Sequence, residues 1–564
     1  MQTEQVVTKK YLWLPVRIHD VTETKDTVII YVYEKTCQKY VKWQELYMNV
    51  AWDNTEDAFA WIPMDTFRGQ KIKIEVLPDV TRWQEETYIR ALERWCSQLH
   101  FSDKLPENAT KNRPEIHYAP VFGWMNDPNG LLYHDGIYHV YHQHNPYGTQ
   151  WENIHWAHTE TKDFVHWTKT EDVLLPAEKG PAFSGTGIVD EQNLLSYGKD
   201  AFIFYYTLAG GRSKWSTGFH FTQNIAYSTD GGKHMELRDE CVIPHIADEN
   251  RDPKVFYHEE SAAYICIIYI QEDLFRLYRS TDLVNWTRTQ DIRVPGMWEC
   301  PDFFRISAEN ESIVKWVFWS ADGYYCLGDF DGYGFTPDKD REGNIIRQEA
   351  YNLLKDEKGK PLQRIIRAYA AQTFQHVKDR ILQLSWITTA KEDKNYAGIL
   401  SLPAEITLCK TFRGYKVMLQ PSGEVLGMRR QMLEPILTEN ALPAYVGNGK
   451  GVEIELQIAL QDENQQDKKG VLICRIFENK IVIDLTEREI RVDKHIISIQ
   501  NKNSIRLQIY VDVDVLELFA DGGTQYCVVD NKSDSLNGMI VIEQNEVDGS
   551  IHCYELNTMH FCEA

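Results

Sequence analysis

The chain is expected to be an all-β protein. It divides into a small β-rich N-terminal accessory domain over residues 1–108, a five-bladed β-propeller over 109–408 and a C-terminal β-sandwich over 409–564. Three patterns lead there. Apolar runs followed by an aspartate turn recur at roughly 50–65-residue intervals through the middle of the chain. Beyond about residue 409, strands of alternating polarity follow one another between charged or glycine-bearing turns. Helical periodicity is scarce throughout.

The first hundred residues hold the strand-like runs Thr27–Val32, Ala58–Pro63 and Lys71–Val76. A helix is predicted over Arg82–Gln98, where apolar residues fall three and four apart. Leu105–Arg113 is polar and carries a proline, as a linker does. In the repeat region the apolar strands are Tyr138–Tyr141, Phe202–Tyr206, Tyr264–Tyr269, Lys315–Trp319 and Arg380–Trp386. The first four are followed by Asp163, Asp230, Asp282 and Asp331, each in a polar turn. One four-stranded sheet per unit makes five blades. The sandwich strands are read at Val452–Leu460, Gly470–Phe477, Lys480–Leu485, Ile505–Phe519 and Met539–Glu543.

Composition narrows the function. With 43% hydrophobic and 12% aromatic residues, the chain can bury a large core, which excludes a disordered protein. Its 83 acidic and 60 basic side chains leave a net charge of −23, opposite to what phosphate binding requires, so neither nucleic acid nor an anionic membrane is an expected partner. The polar N-terminus MQTEQVVTKK lacks the apolar core of a secretory signal. The 11 cysteines are scattered without a CxxC pair. A cytoplasmic location is the expectation. Sixteen Trp and 30 Tyr suit stacking on sugar rings, though such residues also fill β cores.

Three acidic motifs lie within the repeat region: WMNDPNG at 124–130, RDP at 251–253 and WECPD at 298–302. Each sets a carboxylate one or two residues before a proline, which stiffens the backbone that carries the acid. Different blades bring distant segments to one central funnel. Two carboxylates there can cleave a glycosidic bond, one as nucleophile and one as proton donor, while a third holds substrate hydroxyls. A lone Asp-Pro is usually a turn. Three such motifs in one propeller are not so explained.

These segments resemble the signature motifs of glycoside hydrolase family 32, the invertase, levanase and inulinase group. FSGTG at 183–187, QHNP at 143–146 with Trp151 and His155–Trp156, AAQTF at 370–374 and DVDVLELFADG at 512–522 are similar to further stretches of that family. The resemblance runs from about 113 to 564. It implies a propeller with a sandwich that releases terminal β-fructofuranosyl units, with retention, from sucrose and short fructo-oligosaccharides or fructans. By motif, Asp127 would be the nucleophile, Glu299 the general acid and base, and Asp252 the transition-state stabiliser. Asn126, Gln143, Trp151, Ser184 and Arg251 would bind the terminal fructose. Fructosyl transfer or anhydride formation could use the same site, and a fructan-binding module without activity is the alternative from another class.

No cofactor is expected, since two carboxylates and water complete the reaction. No metal is expected either: His139 and His142, in the histidine-rich first blade, face opposite sides of a strand. His142 and His144 replace the aromatic residues usual beside Gln143 and should share the strand face opposite to it. Trp215, after Gly210–Gly211, either lines the pocket beyond the first sugar or rides on a loop. A fructose-containing carbohydrate is the expected partner, with a homo-oligomer left open.

Overall fold

The structure is a computed structural model. It describes residues 2–562 except 20, 22–23, 53–55, 79–84, 109–112, 309–311, 356–361, 363–365, 390–393, 412–413, 438–441, 463–464, 502 and 534. Five sheets follow one another in sequence order, each a meander of antiparallel strands. Their innermost strands are Gly123–His134, Ala182–Asp190, Arg251–His258, Asp302–Ser307 and Ala368–Thr373. Each apolar run read from the sequence lies in the second strand of a blade: Ile137–Asn145, Ala201–Ala209, Ala263–Gln271, Val314–Trp319 and Ile381–Ile387. Second strands are covered on both faces by neighbouring blades, so their apolar residues run on without alternation.

The four aspartates are the turns of the outer hairpins. In the first, third and fourth blades each carboxylate takes the backbone N–H groups two and three residues on: Asp163 from Val165 and His166, Asp282 from Val284 and Asn285, Asp331 from Tyr333 and Gly334. Asp230 takes the N–H of His234 in the second. These Asx turns reverse the chain through hydrogen bonds local to each turn.

The fifth sheet ends in the hairpin Ala404–Thr411 and Gly414–Pro421. It therefore extends past residue 408, where hydropathy alone ended the propeller, because an outer hairpin alternates in polarity as sandwich strands do. The ring is fastened at both chain ends. Tyr396–Ala397 pairs in parallel with Gly123–Trp124, and His560–Cys562 with His166–Thr168 on the outer edge of the first blade.

Beyond the propeller, six- and seven-stranded sheets pack face to face around aliphatic residues such as Ile454, Leu456, Leu507 and Ile540. The run Ile505–Phe519, read as one strand, is two: Ser504–Val511 and Val515–Ala520. The hairpin between them buries Asp512, whose carboxylate takes the N–H groups of Glu115, Ile116 and His117 on the propeller side. His117 lies between Asp512 and Glu517 at 2.8 Å from each.

The N-terminal domain has a four-stranded and a three-stranded sheet. Its helix spans Glu85–Gln98, with residues 82–84 of the expected helix outside the described set. Ala91, Leu92 and Trp95 face the sheets, and Trp95 Nε1 donates to Pro15 O at 2.9 Å. The boundary expected at 108/109 adjoins residues 109–112, also outside that set. The domain's core takes in Phe122 and Tyr147 of the propeller, so the two are packed as one mass. Among the described residues no helix is long and apolar enough to cross a membrane.

The buried His117 joint makes stability depend on pH. Burial alone would lower its pKa, but Asp512 and Glu517 raise it from 6.5 to about 9. The unfolded chain sheds that proton near pH 6.5, whereas the fold retains it to about 9. The joint's contribution is thus complete below pH 6.5 and declines as pH rises through 9, by about 1.4 kcal/mol per unit for one proton. Chemical denaturation between pH 6 and 10 should show that His117→Gln has lost this component of the slope. A pH dependence shared equally by both proteins would disprove the assignment.

Candidate active site

Every blade contributes to the centre, and four of the five contributions sit at a break in strand register. The ladder of the first innermost strand slips between Met125 and Pro128, where Asn126 and Asp127 lie. The second slips between Phe183 and Gly185, at Ser184. The third slips between Arg251 and Lys254, at Asp252. The fifth slips between Tyr369 and Gln372. A bulge leaves its residue unpaired and re-aims its side chain.

The sequence forces these breaks. Pro128 and Pro253 have no N–H for the ladder. At Gly185 a Cβ would lie 1.8 Å from the Tyr205 carbonyl oxygen, so only glycine admits that approach. Glu299 enters on the loop before the fourth strand. Asp252, Glu299, Cys300 and Ala370 have φ of +63°, +29°, +43° and +51°, a left-handed backbone that costs non-glycine residues energy.

The three acids meet around two shared partners. The Cys300 thiol lies 3.5 Å from both Asp127 Oδ2 and Asp252 Oδ2, and the Cys300 N–H donates to Asp252 Oδ2 at 3.0 Å. The Arg251 guanidinium donates to Glu299 Oε2 at 2.6 Å and lies 3.6 Å from Asp252 Oδ2. Tyr369 donates its hydroxyl to Glu299 Oε1, and accepts from Trp298 Nε1 at 3.1 Å.

A relay of side chains orients Asp127. Trp124 Nε1 donates to Asn126 Oδ1 at 2.9 Å, and Asn126 Nδ2 to Gln143 Oε1 at 2.7 Å. Gln143 Nε2 then donates to Ser184 Oγ at 2.8 Å, and the Ser184 hydroxyl to Asp127 Oδ2 at 2.6 Å. Between the donor Trp124 and the acceptor Asp127, Asn126, Gln143 and Ser184 each accept one bond and donate the next, which fixes their rotamers. Asn126, Gln143, Ser184 and Arg251 are thus gathered with the acids. Trp151 stands apart: it is 42% exposed, and its ring lies 5.9 Å from that of Phe183, the neighbour of Ser184.

Burial dominates the electrostatics. It pushes the Asp127 carboxyl up, opposed by the Ser184 hydrogen bond and reinforced by the Glu299 charge. Burial likewise carries Asp252 to about 7, with Arg251 opposing and Glu299 and Asp127 adding. The Cys300 thiol and Tyr369 phenol, buried beside carboxylates, are pushed far up, so both remain protonated donors.

Behind the site, Lys254 Nζ lies 2.7 Å from Asp302 Oδ1 and donates to the Thr373 carbonyl, tying three blades together through a fully buried pair. The residues immediately after RDP and ECP are therefore partners.

Sequence reading did not single out Tyr369, and it included Cys300 only as part of the WECPD motif. Tyr369 lies beside the AAQTF segment, which was the available signal. His142 and His144 do lie together, ring centroids 5.7 Å apart, while Gln143 faces the relay. His139 meets His158 and Glu160 rather than His142, at 3.3 and 3.5 Å.

Carboxyl groups brought together at one centre, with proton donors aimed at each, suit the chemistry of a glycoside hydrolase. Residues 117–421 match the model of the glycosyl hydrolases family 32 N-terminal domain. The chain belongs to that family. It is 27% identical over 467 residues to a levanase of Bacillus subtilis, covering 73% of this chain and 65% of the levanase. It is 34% identical over 270 residues to an extracellular exo-inulinase of Aspergillus niger, covering 40% of this chain and 50% of that enzyme. The chain thus spans between half and two thirds of these relatives' lengths. Among solved structures, the exo-inulinase of Aspergillus awamori superposes with a TM-score of 0.67 at 21% identity, over 80% of this chain and 99% of that one. The β-fructofuranosidase of Schwanniomyces occidentalis gives 0.64 at 23%, over 79% and 98%.

The raised Asp252 pKa means that the fold prefers the neutral carboxyl. In the unfolded chain Asp252 ionises near its ordinary 3.8; in the fold it stays protonated to about 7. Its destabilising effect therefore grows between pH 4 and 7 and is complete above. Asp252→Asn should make the protein more stable at pH 8, by on the order of 2 kcal/mol relative to its effect at pH 5. Denaturation midpoints at the two pH values test this, and an equal effect at both would refute it.

Proposed function

We propose that the protein is a retaining β-fructofuranosidase that releases terminal fructose from sucrose and short fructo-oligosaccharides. The convergence of Asp127, Asp252 and Glu299 on Cys300 and Arg251, in a chain of this family, carries the reading.

In the first step Asp127 Oδ bonds to the anomeric carbon of fructose as the glycosidic C–O bond breaks, and Glu299 gives its proton to the departing oxygen. In the second, Glu299 takes a proton from water, whose oxygen bonds to the anomeric carbon and displaces Asp127. Both Glu299 oxygens accept hydrogen bonds here, from Arg251 and Tyr369, an arrangement suited to the second step. Asp252, held by Arg251 and the Cys300 N–H, would bind fructose hydroxyls. The relay from Trp124 to Ser184 keeps Asp127 aligned for attack.

The 11 cysteines are all unpaired, in keeping with the reducing cytoplasm. A cytoplasmic enzyme would meet small imported sugars rather than long polymers. Detection of the native protein outside cells, degrading polymer, would count against this part.

Fructose and glucose release should be followed from sucrose and from β-2,1 and β-2,6 oligosaccharides. Steady, equimolar release from sucrose is expected, with the first-formed fructose in the β configuration. Asp127→Asn should lower kcat by at least about 10³-fold. Glucose appearing ahead of fructose, together with longer oligosaccharides, would replace hydrolysis by transfer; no product from any substrate would reject the proposal.

A further inference from the structure

The first blade carries a second polar cluster, apart from the three acids. Its second and third strands, Ile137–Asn145 and His155–Thr161, pair so that His139 stands directly opposite Glu160 and Tyr141 opposite His158. Residues two apart on a strand share a face, so His139, His158 and Glu160 point the same way. In the ladder with the innermost strand, His139 pairs with Leu132, close to the hairpin that joins the two strands. Asn126 and Asp127 lie at the other end of that ladder, between Met125 and Pro128. The cluster therefore faces the second blade at the end of the interface remote from catalysis. There the His139 ring meets the Phe202 ring edge-on at 4.9 Å, and His158 stacks on Tyr141 at 4.2 Å.

Three ligand atoms converge. His139 Nδ1 is 3.3 Å from His158 Nε2 and 3.5 Å from Glu160 Oε1, and the last two are 3.8 Å apart. Among the described residues it is the only group of three His, Cys, Asp or Glu side chains that closes in this way. Tetrahedral zinc with bonds of about 2.0–2.2 Å holds its ligand atoms about 3.3–3.6 Å apart. Two edges of the triangle already match, and the third has to close by only a few tenths of an ångström. Charge points the same way. Both imidazoles are almost wholly buried, and burial lowers the pKa of His139 to about 4 and pushes that of His158 well down. Near neutral pH each ring therefore offers a lone pair rather than a positive charge. The Glu160 carboxyl thus has two neutral rings as its near partners, and the exposed Lys233 acts on it only from a distance.

We propose that His139, His158 and Glu160 bind one divalent zinc ion, with water in the fourth position, and that the ion braces the first blade without taking part in the reaction. Two imidazole nitrogens and one carboxylate oxygen suit zinc, whereas magnesium and calcium prefer shells of oxygen. His139 and His142 cannot chelate from opposite faces of one strand; the partners of His139 come from the next strand instead. A metal-bound imidazole normally donates its other N–H to an acceptor, but the buried Nδ1 of His158 has no partner. Affinity should accordingly fall about 10- to 100-fold below that of a fully supported site. The proposal does not depend on the fructosidase reading.

The test uses the full chain, freed of metal by a chelator and titrated with zinc. Calorimetry should show one saturable equivalent that excess magnesium or calcium does not displace. At zinc about 100-fold above the dissociation constant, the unfolding midpoint should rise by about 2 °C. Glu160→Gln and, separately, His139→Gln should weaken zinc binding at least about 10-fold and remove most of that rise. The zinc-induced rise is the readout, because a merely structural role for either side chain would shift the metal-free midpoint and leave the rise intact. Should neither variant fold, cobalt in the wild-type chain decides. The strong visible absorption of a tetrahedral ion, with imidazole nitrogen in its X-ray absorption fine structure, supports the site, and the weak spectrum of an octahedral ion overturns it. No saturable zinc binding, binding equal in wild type and both variants, or displacement by magnesium or calcium overturns it as well.

Discussion

Three carboxyl groups confined beside one guanidinium set the terms for the rest of this structure. Like charges in a buried centre repel one another and resist desolvation, which carries Asp252 towards its neutral form even with donors at hand. Arg251 reaches two of them, and the Cys300 thiol and N–H, the Ser184 hydroxyl and the Tyr369 phenol supply further donors. Those donors come from four blades and Asp127 from the first, so each blade must arrive at the axis with a side chain aimed inward. Regular strands cannot do this, since they alternate their side chains between two blade interfaces. The register slips and left-handed residues are the means by which a regular ring becomes a converging site.

Such a centre costs stability, and the cost is borne by what lies behind it. The Lys254–Asp302 pair is fully buried and anchors the segments directly after Asp252 and Glu299 to the fifth blade. Each partner would be expensive alone, but together, with Thr373 bonded to both, they leave little polar capacity unmet. The strained peptides at 252 and 299–300 are thus continuous with a rigid plate.

Much of this was legible in the chain. The aspartates of the outer hairpins act locally, through N–H groups two to four residues away, so they leave a repeat that can be read without a fold. The second strands are covered on both faces and read as plain apolar runs. The three acids were legible because proline accompanies each. What stayed hidden depends on distant partners. Nothing local marks Tyr369 as a donor to Glu299, 70 residues earlier. The hairpin within Ile505–Phe519 was hidden for the same reason, because Asp512 looks like a polar residue in an alternating strand until His117 is placed beside it. The last hairpin of the fifth blade alternates like the sandwich that follows, so hydropathy alone could not separate them at Pro421.

The two flanking domains share one task, and it concerns the segment leading into the first innermost strand. On one side Asp512 of the sandwich takes three successive N–H groups from 115 to 117. Arg113 then gathers the carbonyls of Ala119, Pro120 and Val121. On the other side Phe122 is part of the N-terminal domain's core, and the Gly123 N–H donates to Asn395 O. Asp127 follows four residues later. A one-residue slip of that strand would turn Asp127 away from Ser184 and Cys300. The bulge at Asn126–Asp127 interrupts the ladder that would otherwise resist slippage. The register must therefore be set from outside the blade, which is why a site made wholly of propeller residues is fastened at its first strand by both neighbouring domains.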